Sequence, residues 1–167
     1  CPRCRRPGRS IVLRMTTARF KALVFDMDGT LTRPTLDFGA IRRETGIPSG
    51  DLAEEIPKRP PEEQKRVWAI IEEHEDRAMQ QQELQEGSAE LLARCYRCNV
   101  KVGVVTRNAR RSVDHLCERY GLRFDAVVTR EFPVVKPHPA PILHMLREWG
   151  FDAGDVLTIG DYVHDIE

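Results

Sequence analysis

The sequence predicts an α/β protein: an open parallel Rossmann-like sheet with helices on both faces and a helical segment inserted after the first strand. Three observations predict it. Short apolar runs without helical spacing end at Asp, Gly or another polar residue, as buried parallel strands do. Amphipathic helical stretches alternate with those runs. Finally, roughly 70 residues separate the first two runs, where about a dozen would complete a crossover.

The first run is Lys21-Ala22-Leu23-Val24-Phe25, and others follow at Val100 to Val105, Ala126 to Val128 and Val156 to Ile159. A helix over Ser88 to Arg97 leads into the second run, with Cys95 in phase with Leu91 and Leu92. After that run Val113, Leu116, Cys117 and Tyr120 repeat at helical spacing, with Asn108 as N-cap and Gly121 as the stop. Ile142, Leu143, Leu146 and Trp149 repeat likewise between Pro139 and Gly150. The alternation implies right-handed crossovers, with ligands bound at the carboxyl ends of the strands. Within the insertion, helices are expected over Leu36 to Thr45 and Asp51 to Ile56. A long one, opened by Pro60-Pro61-Glu62-Glu63, would put Val67, Ile70, Ile71, His74 and Ala78 on one face. Such a segment either packs on itself as a bundle or serves as a lid over the strand ends. The expected division is a basic, disordered leader at 1–20, a core of 21–32 with 87–167, and a helical cap at 33–86.

With 167 residues, 26 basic and 26 acidic side chains, the chain carries no net charge, so neither a nucleic-acid partner nor an anionic membrane surface is expected. No apolar run approaches the roughly 20 residues of a membrane span. Five cysteines in a highly charged chain fit a reducing compartment better than a disulfide framework. A cytoplasmic location is expected. The leader, with Arg3, Arg5, Arg6, Arg9, Arg14 and Arg19 and no acid, offers the alternative of an organelle transit peptide for a plastid or mitochondrion. Met15 is a candidate start. Cys1-Pro2-Arg3-Cys4 and Cys95-Tyr96-Arg97-Cys98 could together supply four thiolates to zinc, though Cys95 reads better as a buried apolar residue.

The chemistry concentrates in Asp26-Met27-Asp28-Gly29-Thr30-Leu31. Two carboxylates two residues apart at the end of a buried strand can meet near one point, and Gly29 lets the chain turn sharply. One carboxylate can attack phosphorus while its neighbour gives a proton to the leaving group and later takes one from water. An Asp/Gly turn after a strand is common, but Asp-x-Asp-Gly-Thr arises by chance in such a chain only about once in a thousand.

The stretch Val24 to Leu31 resembles the first motif of the haloacid dehalogenase superfamily, in its phosphatase branch with a small helical cap, similar to phosphoglycolate phosphatases. The resemblance implies nucleophile and acid/base roles for Asp26 and Asp28. Thr106, at the end of Val104-Val105-Thr106, matches the second motif's phosphate-binding hydroxyl. Lys136, in Val135-Lys136-Pro137-His138-Pro139, matches the third motif's lysine. Gly160-Asp161-Tyr162-Val163-His164-Asp165 matches the fourth, whose paired acids lie four apart. Four carboxylates at one point repel by about 4 kcal/mol per pair at 4 Å and an effective dielectric of 20. Mg²⁺ resolves this, and the resemblance gives its ligands as Asp26, the Asp28 backbone carbonyl, Asp161 and Asp165.

The implied activity is Mg²⁺-dependent hydrolysis of a small phosphorylated metabolite, of phosphoglycolate or sugar-phosphate type, through an aspartyl-phosphate. Asp28 speaks against dehalogenation, which needs no second carboxylate. A sugar phosphomutase, a catalytically inactive or truncated relative and a zinc-binding module are the alternatives. The chain departs from the family pattern in Glu86-Gly87, where relatives have Pro-Gly, and in stopping at Glu167. The latter predicts a truncated sheet with an exposed fourth strand and loosely held Asp161 and Asp165. Arg107 and Asn108 are candidates for phosphate or substrate contact, Arg33 for contact with substrate near the insertion, and His138 and His164 for capping or loop roles. Oligomeric state leaves no mark in the sequence.

Overall fold

A computed structural model describes residues 19–165, except the side chain of Ala53. The leader through Arg14, Met15 and the Cys1/Cys4 half of the cysteine pairing lie outside the described residues. The four apolar runs form strands β1 (Ala22–Phe25), β2 (Lys101–Val105), β3 (Ala126–Val128) and β4 (Val156–Ile159). They pair in parallel in the order β3-β2-β1-β4. Among the described residues six α-helices occur: α1 (Phe38–Thr45), α2 (Leu52–Glu55), α3 (Pro61–Gln81), α4 (Ser88–Arg97), α5 (Arg110–Tyr120) and α6 (Ala140–Trp149).

Alternation along the strands divides the core in two, because successive side chains point to opposite faces. Phe25, Val102 and Val104 pack with Leu92 and Cys95 of α4 and with Val113 and Leu116 of α5. Val24, Val105 and Val128 pack with Met145, Ile142 and Trp149 of α6. Gly103 lets α6 come close: a Cβ there would lie 2.8 Å from Trp149 and 2.9 Å from the Met145 sulfur. On α4 the buried stripe is Ser88, Leu92 and Cys95, while Leu91 is 40% exposed.

Inside the insertion, Ile41, Ile47, Ile56, Val67 and Ile71 form an apolar cluster of their own. Helix α1 starts at Phe38 because the Asp37 carboxylate caps it, accepting from the Ala40 N–H at 2.9 Å. The second predicted helix is a single turn followed by a 3-10 turn at Ile56–Lys58. On α3 the buried residues are Val67, Ile71, His74, Glu75 and Ala78; Glu75 is included, and Ile70 is only half-buried. Glu75 is buried because its carboxylate accepts from Arg130, in the turn after β3, and faces Arg111 of α5 at 3.5 Å. Further contacts join α3 to α5: Arg111 pairs with Asp76, Arg119 donates to the Gln80 carbonyl at 2.9 Å, and the Tyr120 hydroxyl donates to the Gln82 carbonyl at 3.1 Å.

Strand β4 lies at the sheet edge, with Leu157 39% exposed. Among the described residues no helix is long and apolar enough to cross a membrane. The sheet brings the carboxyl ends of β1, β2 and β4 side by side, and each of those ends carries one of the polar motifs.

Candidate active site

Asp26 directly follows β1, and its N–H donates to the Ile159 carbonyl at 2.9 Å, which ties it to the end of β4. The chain then folds into a tight turn: the N–H groups of Leu31 and Thr32 both donate to the Met27 carbonyl at 2.9 Å. Gly29 sits in that turn at φ +84°, where side chains are strained, and a Cβ would lie 2.1 Å from Asp161 Oδ2. Only glycine leaves room for Asp161 to approach. Gly160 does the same for Asp165, at 2.2 Å.

Lys136 reaches in from the loop before α6. Its Nζ donates to Asp26 Oδ1 at 2.6 Å and to Asp165 Oδ1 at 2.5 Å, with all three side chains largely buried. The second Asp165 oxygen accepts from the Tyr162 N–H at 3.1 Å, so both oxygens of this carboxylate have a donor. Asp161 is exposed and accepts from the Thr30 hydroxyl at 3.2 Å. Asp26, Asp161 and Asp165 each offer an oxygen, all within 4.8 Å of one another.

The Asp28 side chain stands apart from that acidic group. Its Oδ2 accepts from Asn108 Nδ2 at 2.6 Å and its Oδ1 from the Thr32 hydroxyl at 3.0 Å. Thr32 is fully buried, and its hydroxyl also lies 3.2 Å from the Met27 carbonyl, giving it a second acceptor. Asn108 is not the helix cap expected from sequence: α5 begins two residues later, behind Ala109, with no side-chain cap. Its amide is drawn instead to a carboxylate 80 positions away. Thr106, 4% exposed at the end of β2, accepts from the Asn108 backbone N–H at 3.1 Å. Asn108 therefore links Thr106 to Asp28.

Burial pushes the carboxyl of Asp26 above the ordinary range, opposed chiefly by Lys136. Asp28 is also pushed up by burial, opposed by the hydrogen bonds from Asn108 and Thr32. The two shifts differ in consequence. A proton donor benefits from a raised pKa, whereas a carboxylate nucleophile must be ionised. Lys136 supplies one positive charge toward that. Three carboxylates about one ammonium leave an excess of negative charge on oxygen donors, a set that fits a hard divalent cation such as Mg²⁺.

Of the residues singled out in sequence, Lys136 bonds both Asp26 and Asp165, Asp161 places an oxygen within 4.8 Å of theirs, and Asp28 and Thr106 are joined through Asn108. His138 caps locally, its Nδ1 accepting from the Ala140 N–H at 3.1 Å. Arg33 pairs with Glu83 on the surface at 3.4 Å. Thr32 was not foreseen, and no local pattern marks it.

The sequence profile of the haloacid dehalogenase-like hydrolases matches residues 34–167. A haloacid dehalogenase-like hydrolase domain-containing protein of Arabidopsis thaliana is 32% identical over 176 aligned residues, covering 96% of this chain and 72% of the relative. That alignment takes in the Asp26 turn as well. An N-acetylmuramic acid 6-phosphate phosphatase of Pseudomonas aeruginosa is 29% identical, covering 92% of this chain and 78% of its own. In fold the chain is similar to a predicted phosphoglycolate phosphatase of Haemophilus somnus, with a TM-score of 0.71 at 19% identity over 90% of this chain and 81% of that one. The profile and the Arabidopsis relative show that the chain belongs to the haloacid dehalogenase-like hydrolase family.

Proposed function

We propose that the protein hydrolyses a small phosphate monoester, of phosphoglycolate or sugar-phosphate type, in two in-line displacements. The observation that carries this reading is the pairing of two carboxylates in different settings. Asp26 lies 2.6 Å from Lys136 within the acidic group, and Asp28 is hydrogen-bonded apart from it. Asp26 attacks phosphorus and becomes the aspartyl-phosphate. Asp28, kept protonatable by burial, gives its proton to the departing alkoxide, then takes one from the water that cleaves the acyl phosphate. Thr106 and Lys136 hold the phosphoryl oxygens.

Asp26, Asp161, Asp165 and the Asp28 backbone carbonyl would hold Mg²⁺. When bound, the ion supplies positive charge that lets an ionised carboxylate approach an anionic phosphate. Residues 33–86 serve in this reading as a cap over residues 21–32 and 87–167, keeping water from the strand ends.

The test is a panel of phosphate monoesters with Mg²⁺ or EDTA, on wild type and Asp26→Asn. Turnover is expected only for wild type with Mg²⁺. Full turnover by the variant or in EDTA contradicts the mechanism.

A further inference from the structure

We infer that Arg107 and His164 form a subsite for a carboxylate carried on the substrate's leaving group, and that Asp51 of the inserted segment engages this subsite in exchange with the substrate. The inference rests on the phosphatase reading and narrows it to monoesters bearing a carboxylate.

Arg107 follows Thr106 directly, and its Nη2 donates to Asp51 Oδ1. The other Asp51 oxygen faces His164 Nε2 at 3.7 Å. His164 precedes Asp165 and lines an open cavity of about 370 Å³ together with Asp26, Lys136 and Asp165. One carboxylate, from a residue 56 positions away, is thus held between the loop bearing the phosphate-binding threonine and the loop bearing the paired acids. The side chains of Arg107, Asp51 and His164 are 28%, 19% and 28% exposed, so solvent screens this contact less than a surface pair.

The group that Arg107 already holds is a carboxylate, and this points to a carboxylate as the ligand. A guanidinium presents a planar fork of N–H donors that matches a planar two-oxygen anion, and an arginine facing a neutral substrate body would lose its charge partner without replacement. Exchange of Asp51 for a substrate carboxylate keeps the charge balance, while a neutral leaving group has nothing to exchange. Asp51 is therefore a competitor for Arg107, and its removal favours the anionic ligand. A simple clasp between inserted segment and core behaves differently: there, loss of either partner breaks the same bond with the same effect.

Two unreactive phosphonates separate these cases, with binding measured by calorimetry in Mg²⁺ on the whole protein. Phosphonoacetate carries both groups, and methylphosphonate carries the phosphonate alone. Wild type is expected to prefer phosphonoacetate severalfold. Asp51→Asn widens that preference to about tenfold or more, and Arg107→Gln brings it to about one, since a tenfold change in affinity is roughly the worth of a single charge-assisted hydrogen bond. The opposite signs are the signature. Equal shifts in the two variants, a preference that survives Arg107→Gln, or no preference in wild type overturns the subsite. Failure of wild type to bind either phosphonate overturns the phosphatase reading and the subsite together, an outcome distinct from equal binding of both.

Discussion

Asp28 is the residue on which the proposed chemistry turns, and its environment makes two separable predictions. Asp28→Asn keeps the shape, and the amide oxygen can still accept from Asn108, so folding should survive. For an alkyl phosphate, kcat should fall by about 10²–10⁴, the usual worth of a positioned acid/base. For p-nitrophenyl phosphate, whose leaving group needs no proton, the first step should be spared; steady-state and burst kinetics on the two substrates check this. The second prediction concerns stability. Burial raises the folded pKa above the unfolded one, so the stability this group contributes is full below the unfolded value and lost as pH rises through the folded value. Asp28→Asn should therefore melt above wild type in EDTA at mildly alkaline pH, and the gap should close on acidification.

Between elements, the docking of α3 on the core depends on Glu75 and Arg130, whose side chains are 6% and 18% exposed. Removing one partner leaves the other charge buried. Arg130→Ala should cost about 1–3 kcal/mol, since Arg111 still faces the Glu75 carboxylate, and adding Glu75→Gln should recover part of that; denaturant unfolding of the single and double variants measures it. Gly103→Ala should cost about 1–3 kcal/mol by overpacking, since α6 already meets the sheet there. The elements themselves were legible because each is announced locally. The four strands are apolar runs, and α5 and α6 end at Gly121 and Gly150 in the left-handed conformation. What joins them was not. Glu75 reads as a surface acid until Arg130, 55 positions on, is folded against it, and Asn108 reads as a cap until Asp28 is near. Contacts of that separation leave no periodic trace in a chain.

Across the whole molecule, the four motifs converge because the order β3-β2-β1-β4 sets the ends of β2, β1 and β4 next to one another. Asp26 was readable as an acid at a strand end, whereas Thr106, Lys136, Asp161 and Asp165 were readable only through the resemblance to the family's later motifs. Thr32 and the Asp51–Arg107 contact needed the fold. Convergence of three carboxylates also predicts linkage: Mg²⁺ should raise the melting temperature of wild type, because an ion that binds only the folded state stabilises it. Asp161→Asn should lose most of that rise, as thermal unfolding with and without the ion will show. The central claim is that Asp26 becomes phosphorylated. The most direct measurement uses Asp28→Asn with p-nitrophenyl phosphate and Mg²⁺, where the intermediate forms but lacks the base for its hydrolysis, followed by acid quench, borohydride reduction and peptide mass spectrometry. Conversion of Asp26 to homoserine, matched to a stoichiometric burst of p-nitrophenol, is the predicted result; a burst with Asp26 unmodified, or with the label on another residue, would contradict it.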